Sequence, residues 1–175
     1  MPLVEIVGFT CTNKTFNIAF AFTRKEEVVH YTFIMQKLLY LCNEAGVMPT
    51  AIMTDRDLAL INAIHIVFPP TVKHLLCWVH INRNIEAYAN PILKDKKAVE
   101  TFCGQCWGLF CSVTEESYNE RLEKLKSSKR KGLVRYVVKV WLNPYKENIV
   151  RAWTDHHLHF VTRTSNRYLI YNVYS

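Results

Sequence analysis

Glycine and proline are scarce in this 175-residue chain, with 5 and 6 copies respectively. That scarcity excludes a collagen-like or low-complexity chain, and a hydrophobic content of 50% excludes a disordered one. Long apolar runs are missing too. The longest stretch without a charged residue is Leu58–Val72, 15 residues interrupted by Asn62, His65 and Pro69-Pro70, too short and too polar to span a bilayer. The opening Met-Pro-Leu-Val-Glu has neither a basic nor an apolar leader region, so no secretory signal is expected, and the chain reads as intracellular. There is no Gly-rich phosphate loop, no Gly-x-Ser-x-Gly elbow and no His-Glu-x-x-His, which argues against an NTPase, an α/β-hydrolase or a zincin. No acidic residue follows Asp155.

What is present is positive charge in one place. The net charge is +7. Residues 1–120 carry 10 Lys/Arg against 12 Asp/Glu, whereas residues 121–151 carry 10 against 2. Lys124, Lys126, Lys129, Arg130, Lys131, Arg135 and Lys139 therefore form a candidate contact with a polyanion such as the DNA backbone. A solvated helix face with a lysine-rich turn is the plain alternative. Six cysteines in a chain without a leader read as reduced thiols, not as a disulfide framework.

Hydrophobic patterning predicts an α/β first half and a helical second half. Residues 3–9 and 16–22 are apolar, branched or aromatic, and the polar Thr12-Asn13-Lys14-Thr15 between them marks a hairpin. Thr23 with Glu26 reads as a capping box opening a helix, whose apolar face is Ile34, Leu38, Leu41 and Ala45, closed by Gly46. A buried strand over Thr50–Thr54, a helix over Arg56–Val67 stopped by Pro69-Pro70, a strand over Val72–Trp78 and a helix over Ile81–Ala89 follow. Val99, Phe102, Cys103, Cys106, Trp107 and Phe110 define one amphipathic helix, and Thr114 with Glu115 and Glu116 caps the next. Helical pieces at 133–142 and 146–153 should be separated by Asn143-Pro144.

Two constellations could carry chemistry. Asp55 stands in Thr54-Asp55-Arg56-Asp57, at the carboxyl end of a predicted buried strand, where open α/β sheets place ligands and a carboxylate can hold Mg²⁺. Asp55 and Asp57 could equally serve only the positive end of the following helix. Cys77-Trp78-Val79-His80 and Cys103-Gly104-Gln105-Cys106 together offer four zinc ligands at feasible spacings, although Cys103 and Cys106 fall on an apolar helix face where cysteine behaves as a small hydrophobe. The cluster His156, His157 and His159 reads as an ordinary loop or helix end.

The segments MPLVEIVGFTCTNKTFNIAFAF, TDRDLALINAIHIVFP, HLLCWVHINRNI and VRAWTDHHLHFVTRTSNR resemble, in order, the catalytic domain of Mutator-like element (MULE) transposases, a domain shared with far-red-impaired-response transcription factors. The resemblance implies a partial ribonuclease-H-like fold, a mixed β-sheet with flanking helices interrupted by a helical insertion. Residues 1–91 would be the incomplete α/β part of one domain, 92–155 the insertion-like region and 156–175 a degenerate C-terminal segment. It also implies nuclear DNA as partner, no membrane, and strand cleavage by two Mg²⁺ or Mn²⁺ ions held by three acids. Asp55 matches the second acid. The strand bearing the first would precede Met1, and the third aligns near Tyr168, where the sequence is Thr164-Ser165-Asn166-Arg167-Tyr168-Leu169. Cys77 and His80 match the family's Cys-x2-His.

With one acid of three, the expectation is a catalytically inactive chain, from a truncated reading frame or a decayed element copy. The alternatives are a non-catalytic, DNA-associated regulator of the far-red-impaired-response type and a zinc-stabilised interaction module. The missing central strand should leave two sheet edges open and apolar surface exposed.

Overall fold

The computed structural model describes residues 1–9, 14–157 and 170–173. Strands β1 (Leu3–Phe9) and β2 (Thr15–Phe22) form the expected antiparallel hairpin, with the register shifting between Ile6 and Val7. The turn residues Thr12 and Asn13 lie outside the described residues. One face of the hairpin buries Val4 and Ile6 beside Ala19 and Ala21. The other leaves Phe16, Ile18, Phe20 and Phe22 exposed, the strict alternation that a period of two dictates. A Cβ at Gly8 would sit 2.8 Å from the Phe16 ring, so the exposed ends of Phe16 and Ile18 would have to shift to admit one.

Helix α1 (Val28–Glu44) starts later than the sequence suggested. Thr23 does not cap it. Its hydroxyl instead closes a local turn, donating to the Lys25 carbonyl (2.7 Å) and accepting from the Lys25 amide (3.3 Å). The buried stripe of α1 is Tyr31, Ile34, Met35 and Leu38, whereas Leu41 points outward. Gly46 ends the helix as expected, at a φ of 65° that glycine adopts without steric cost.

Strand β3 (Ala51–Thr54), helix α2 (Leu58–Val67) and strand β4 (Lys73–Leu76) make a parallel βαβ unit, in register from Ala51↔Lys73 to Thr54↔Leu76. The predicted strand Val72–Trp78 is therefore too long. It stops at Leu76, because Trp78 already belongs to α3 (Trp78–Leu93). Strand β5 (Ile170–Val173), which the sequence did not suggest, pairs antiparallel with β1 over Leu3–Ile6. The sheets are ordered β2-β1-β5 and β3-β4. The inner edge of β1 is thus not open, as expected from the sequence, but occupied.

The chain divides into two compact units, Met1–Cys77 with His157–Ser175, and Trp78–His156. The first is mixed α/β. Its core joins Val4, Ile6, Tyr31, Ile34, Met35, Leu38, Ile52, Leu60, Ile64 and Phe68. The second is helical: α3, α4 (Lys96–Phe110), α5 (Glu115–Lys126), α6 (Lys131–Val137), a π-helical turn (Val138–Leu142), α7 (Asn143–Ile149) and α8 (Arg151–Thr154).

Helix α3 runs two residues past Pro91, which lies within its last turn, and stops at Lys94, at a φ of 53°. Asn143-Pro144 does not separate two helices either. Pro144 comes just after the π turn, where the backbone stays helical through Leu142 and Asn143, and the break comes at Val150, which is extended (ψ 135°). The α4 face is buried at Val99, Phe102, Cys103, Cys106, Leu109 and Phe110. Thr114 caps α5 as predicted, its hydroxyl accepting from the Ser117 amide at 3.2 Å.

Candidate functional site

The parallel pairing of β3 and β4 brings their carboxyl ends together. The Cys77 amide donates to the Thr54 carbonyl at 2.8 Å, so Asp55 and Cys77 leave neighbouring strand ends side by side. Asp55 is half-buried and Cys77 fully buried. His80 lies in the first turn of α3, half-buried.

The two acids of Thr54-Asp55-Arg56-Asp57 have different roles. Asp57 caps α2. Its Oδ1 accepts from the amides of Ala59 (2.7 Å) and Leu60 (3.0 Å), and its Oδ2 accepts from the Tyr31 hydroxyl at 3.1 Å. It closes the helix end that would otherwise leave orphan donors, and it ties α2 to α1. Asp57→Ala should cost about 0.5–2 kcal/mol and Tyr31→Phe about 0.5–1.5 kcal/mol. In urea titrations of the double variant, Tyr31→Phe should add almost nothing to Asp57→Ala. Additive losses would show that the hydroxyl and the carboxylate are not coupled.

Beneath Asp55 lies a buried polar pair that sequence reasoning missed. Thr54, fully buried, donates its only hydroxyl proton to the Asp55 carbonyl at 2.7 Å. The same hydroxyl oxygen lies 2.8 Å from His74 Nε2 on β4, a hydrogen bond whose direction follows the imidazole tautomer. Burial, with the charges of His65 and Lys73 adding to it, holds the His74 imidazole down at about 3, so it is neutral. The signal in the sequence was a lone histidine inside the apolar run Lys73-His74-Leu75-Leu76, facing a threonine one strand away. The Thr54–His74 bond fixes the backbone from which Asp55 projects.

The four candidate zinc ligands do not form a set. Among the described residues no group of three or more His, Cys, Asp or Glu side chains converges as a metal site. Cys103 and Cys106 lie on the buried face of α4. Burial, reinforced by Cys103, drives the Cys106 thiol up to about 12; burial with nearby Glu86 raises Cys103 as well. Without a metal, both thiols are held protonated.

The same finding bears on the two-ion centre. Asp57 is spent on its helix, and β5, the strand lying against β3, reads Ile-Tyr-Asn-Val and brings no carboxylate. Tyr168, where a third acid would align, lies outside the described residues. Among the described residues, the donors around Asp55 do not make the three-acid set that the resemblance implies.

In the helical unit, Lys124 and Lys126 lie on α5, Lys129 and Arg130 on the turn after it, Lys131 and Arg135 on α6, and Lys139 on the π turn. All are exposed except the half-buried Arg130. Lys126 pairs with Glu123 at 3.0 Å, and Lys131 Nζ donates to the Lys126 carbonyl at 2.9 Å. Arg121, bonded to the Gly108 carbonyl, and Lys124 line a shallow depression of about 290 Å³ with Gln105 and Leu125. Among the described residues no helix is long and apolar enough to cross a membrane.

Comparison with curated proteins gave no match. Comparison with protein families matched residues 1–84 to the MULE transposase domain, a span running from β1 into α3 that includes Asp55, Cys77 and His80. Residues 1–84, about half of the chain, are thus similar to the MULE transposase domain, and that similarity implies a transposase-type function for this part.

Proposed function

We propose that this polypeptide is a transposase-derived, DNA-associated domain that holds duplex DNA without cutting it. The observation that carries the reading is that no group of three or more His, Cys, Asp or Glu side chains gathers around Asp55 among the described residues. Its neighbour Asp57 caps α2. A single carboxylate holds Mg²⁺ weakly, because that ion keeps most of its water unless several oxygens replace it. It cannot also fix a second ion about 4 Å away. A hairpin, a helix and a parallel βαβ unit in that order support a ribonuclease-H-like arrangement. On this reading the protein works on nuclear DNA.

Purified chain incubated with supercoiled plasmid and Mg²⁺ or Mn²⁺ should leave the plasmid intact, and Asp55→Ala should change nothing. Metal-dependent nicking abolished by Asp55→Ala would overturn the reading.

DNA is held through its phosphates, by the basic segment 121–151. If five to seven of its Lys and Arg side chains neutralise phosphates, log K plotted against log salt should fall with a slope of about −4.5 to −6. Replacing Lys129, Arg130 and Lys131 together by alanine should shallow that slope by about 3. Gel shifts between about 50 and 200 mM salt measure both, and binding indifferent to salt would refute a phosphate-driven contact.

A further inference from the structure

Strand β1 is paired on both sides by segments of different origin. Along one edge runs β2, its neighbour in sequence, over all seven residues. Along the other runs β5, from the far end of the chain, over four: Leu3↔Val173, Val4↔Asn172, Glu5↔Tyr171 and Ile6↔Ile170. Val4 and Ile6 are buried, so the backbone groups of this part of β1 lie at the core and need partners. Among the described residues β5 alone supplies them on that edge.

β5 is short, and it is not hydrogen-bonded to β3, although it lies against it. Its attachment is therefore a ladder of a few bonds on one side only. Branched and aromatic residues (Ile170, Tyr171, Val173) suit an added strand.

From this geometry we propose that the inner edge of β1 is an acceptor groove for an extended peptide. The chain fills it in cis with Ile170–Val173, and the groove takes a free segment of the same chemistry in trans: antiparallel, uncharged, rich in branched and aromatic residues. Recognition is by strand addition, with main-chain bonds giving affinity.

The test uses the full chain. In Asn172→Pro, proline interrupts the β5 ladder. Hydrogen exchange at Leu3–Ile6 should accelerate at least tenfold, while the amides of α4 keep their protection. The free peptide Leu-Ile-Tyr-Asn-Val-Tyr should restore the lost protection, and the same peptide with proline for asparagine should not. Unchanged exchange at Leu3–Ile6, or protection that the peptide fails to restore, overturns the proposal.

If the variant does not fold, the pair Glu5→Cys and Tyr171→Cys tests the seating directly. Facing Cα atoms in an antiparallel ladder are about 4.5–5.5 Å apart, within disulfide reach. Mild oxidation should yield a 5–171 bridge within one chain, located by peptide mapping. Only intermolecular bridges, or none, refute the seating of the tail in cis.

Discussion

Acidification from neutral pH should unfold the α/β unit, beginning near pH 6.5 and deepening towards pH 3. The cause is His74, neutral and buried in the fold at about 3 but free to take its proton at about 6.5 once the chain opens. Between those values the unfolded state binds the proton and the folded state refuses it. The stability His74 contributes is therefore complete above pH 6.5 and is lost as pH falls towards the folded value. The full span corresponds to a loss on the order of 5 kcal/mol, a large share of the stability of an ordinary domain.

All four tryptophans lie in the helical unit, so their fluorescence is the wrong probe for this transition. Hydrogen exchange of α1 and β3 between pH 7 and 4 reports it. His74→Gln keeps a side-chain donor for Thr54 without a titrating ring, and should flatten the dependence over that range. A profile as steep in His74→Gln as in the parent would assign acid sensitivity elsewhere.

Trp78→Ala should be the most damaging single substitution in the helical unit, at about 3–5 kcal/mol. Trp78 is buried at the start of α3. Its ring meets Trp107 edge-on at 4.7 Å between centroids and lies 6.2 Å from Phe110. Its indole N–H donates to the Ile149 carbonyl at 2.7 Å, closing the carboxyl end of α7 onto α3. Truncation would leave both a void and an orphaned carbonyl. Trp78→Phe keeps most of the apolar volume and loses the bond, so it should cost less, about 1–3 kcal/mol for the unpaired acceptor. Urea midpoints followed by far-ultraviolet circular dichroism rank the two. Equal losses would mean the hydrogen bond, not the packing, dominates.

Local chemistry was legible in the sequence wherever it decides structure by itself. The hairpin's alternation, the Gly46 stop, the Asp-rich start of α2 and the Thr114 cap each need only near neighbours, and all were found. Errors arose where one signal has two uses. Thr23-Arg24-Lys25-Glu26 has the spacing of a capping box, yet its threonine closes a turn one step earlier. Asn143-Pro144 has the composition of a break, yet the chain stays helical through it, with a π turn just before the proline.

Long-range pairings were the least legible. Nothing near residue 170 announces a partner at residue 3, and nothing in Lys73-His74-Leu75 says that the imidazole meets Thr54. At the candidate site, Asp55 was legible as a strand-end acid, but the division of labour between Asp55 and Asp57 was not. It depends on Tyr31, brought from another helix to hold Asp57.

The π-helical turn at Val138–Leu142 works as an inserted residue, a step of about 100° added to the winding between α6 and α7. It lets Val137, Trp141 and Leu142 all face inward, although a regular α-helix would not align the three on one stripe. Removing one residue from this stretch would restore ordinary winding, and every side chain of α7 would then swing round by that angle. A deletion elsewhere on an exposed helix shortens it, but here it would turn Ile149, the buried residue of α7, about 100° off its present direction.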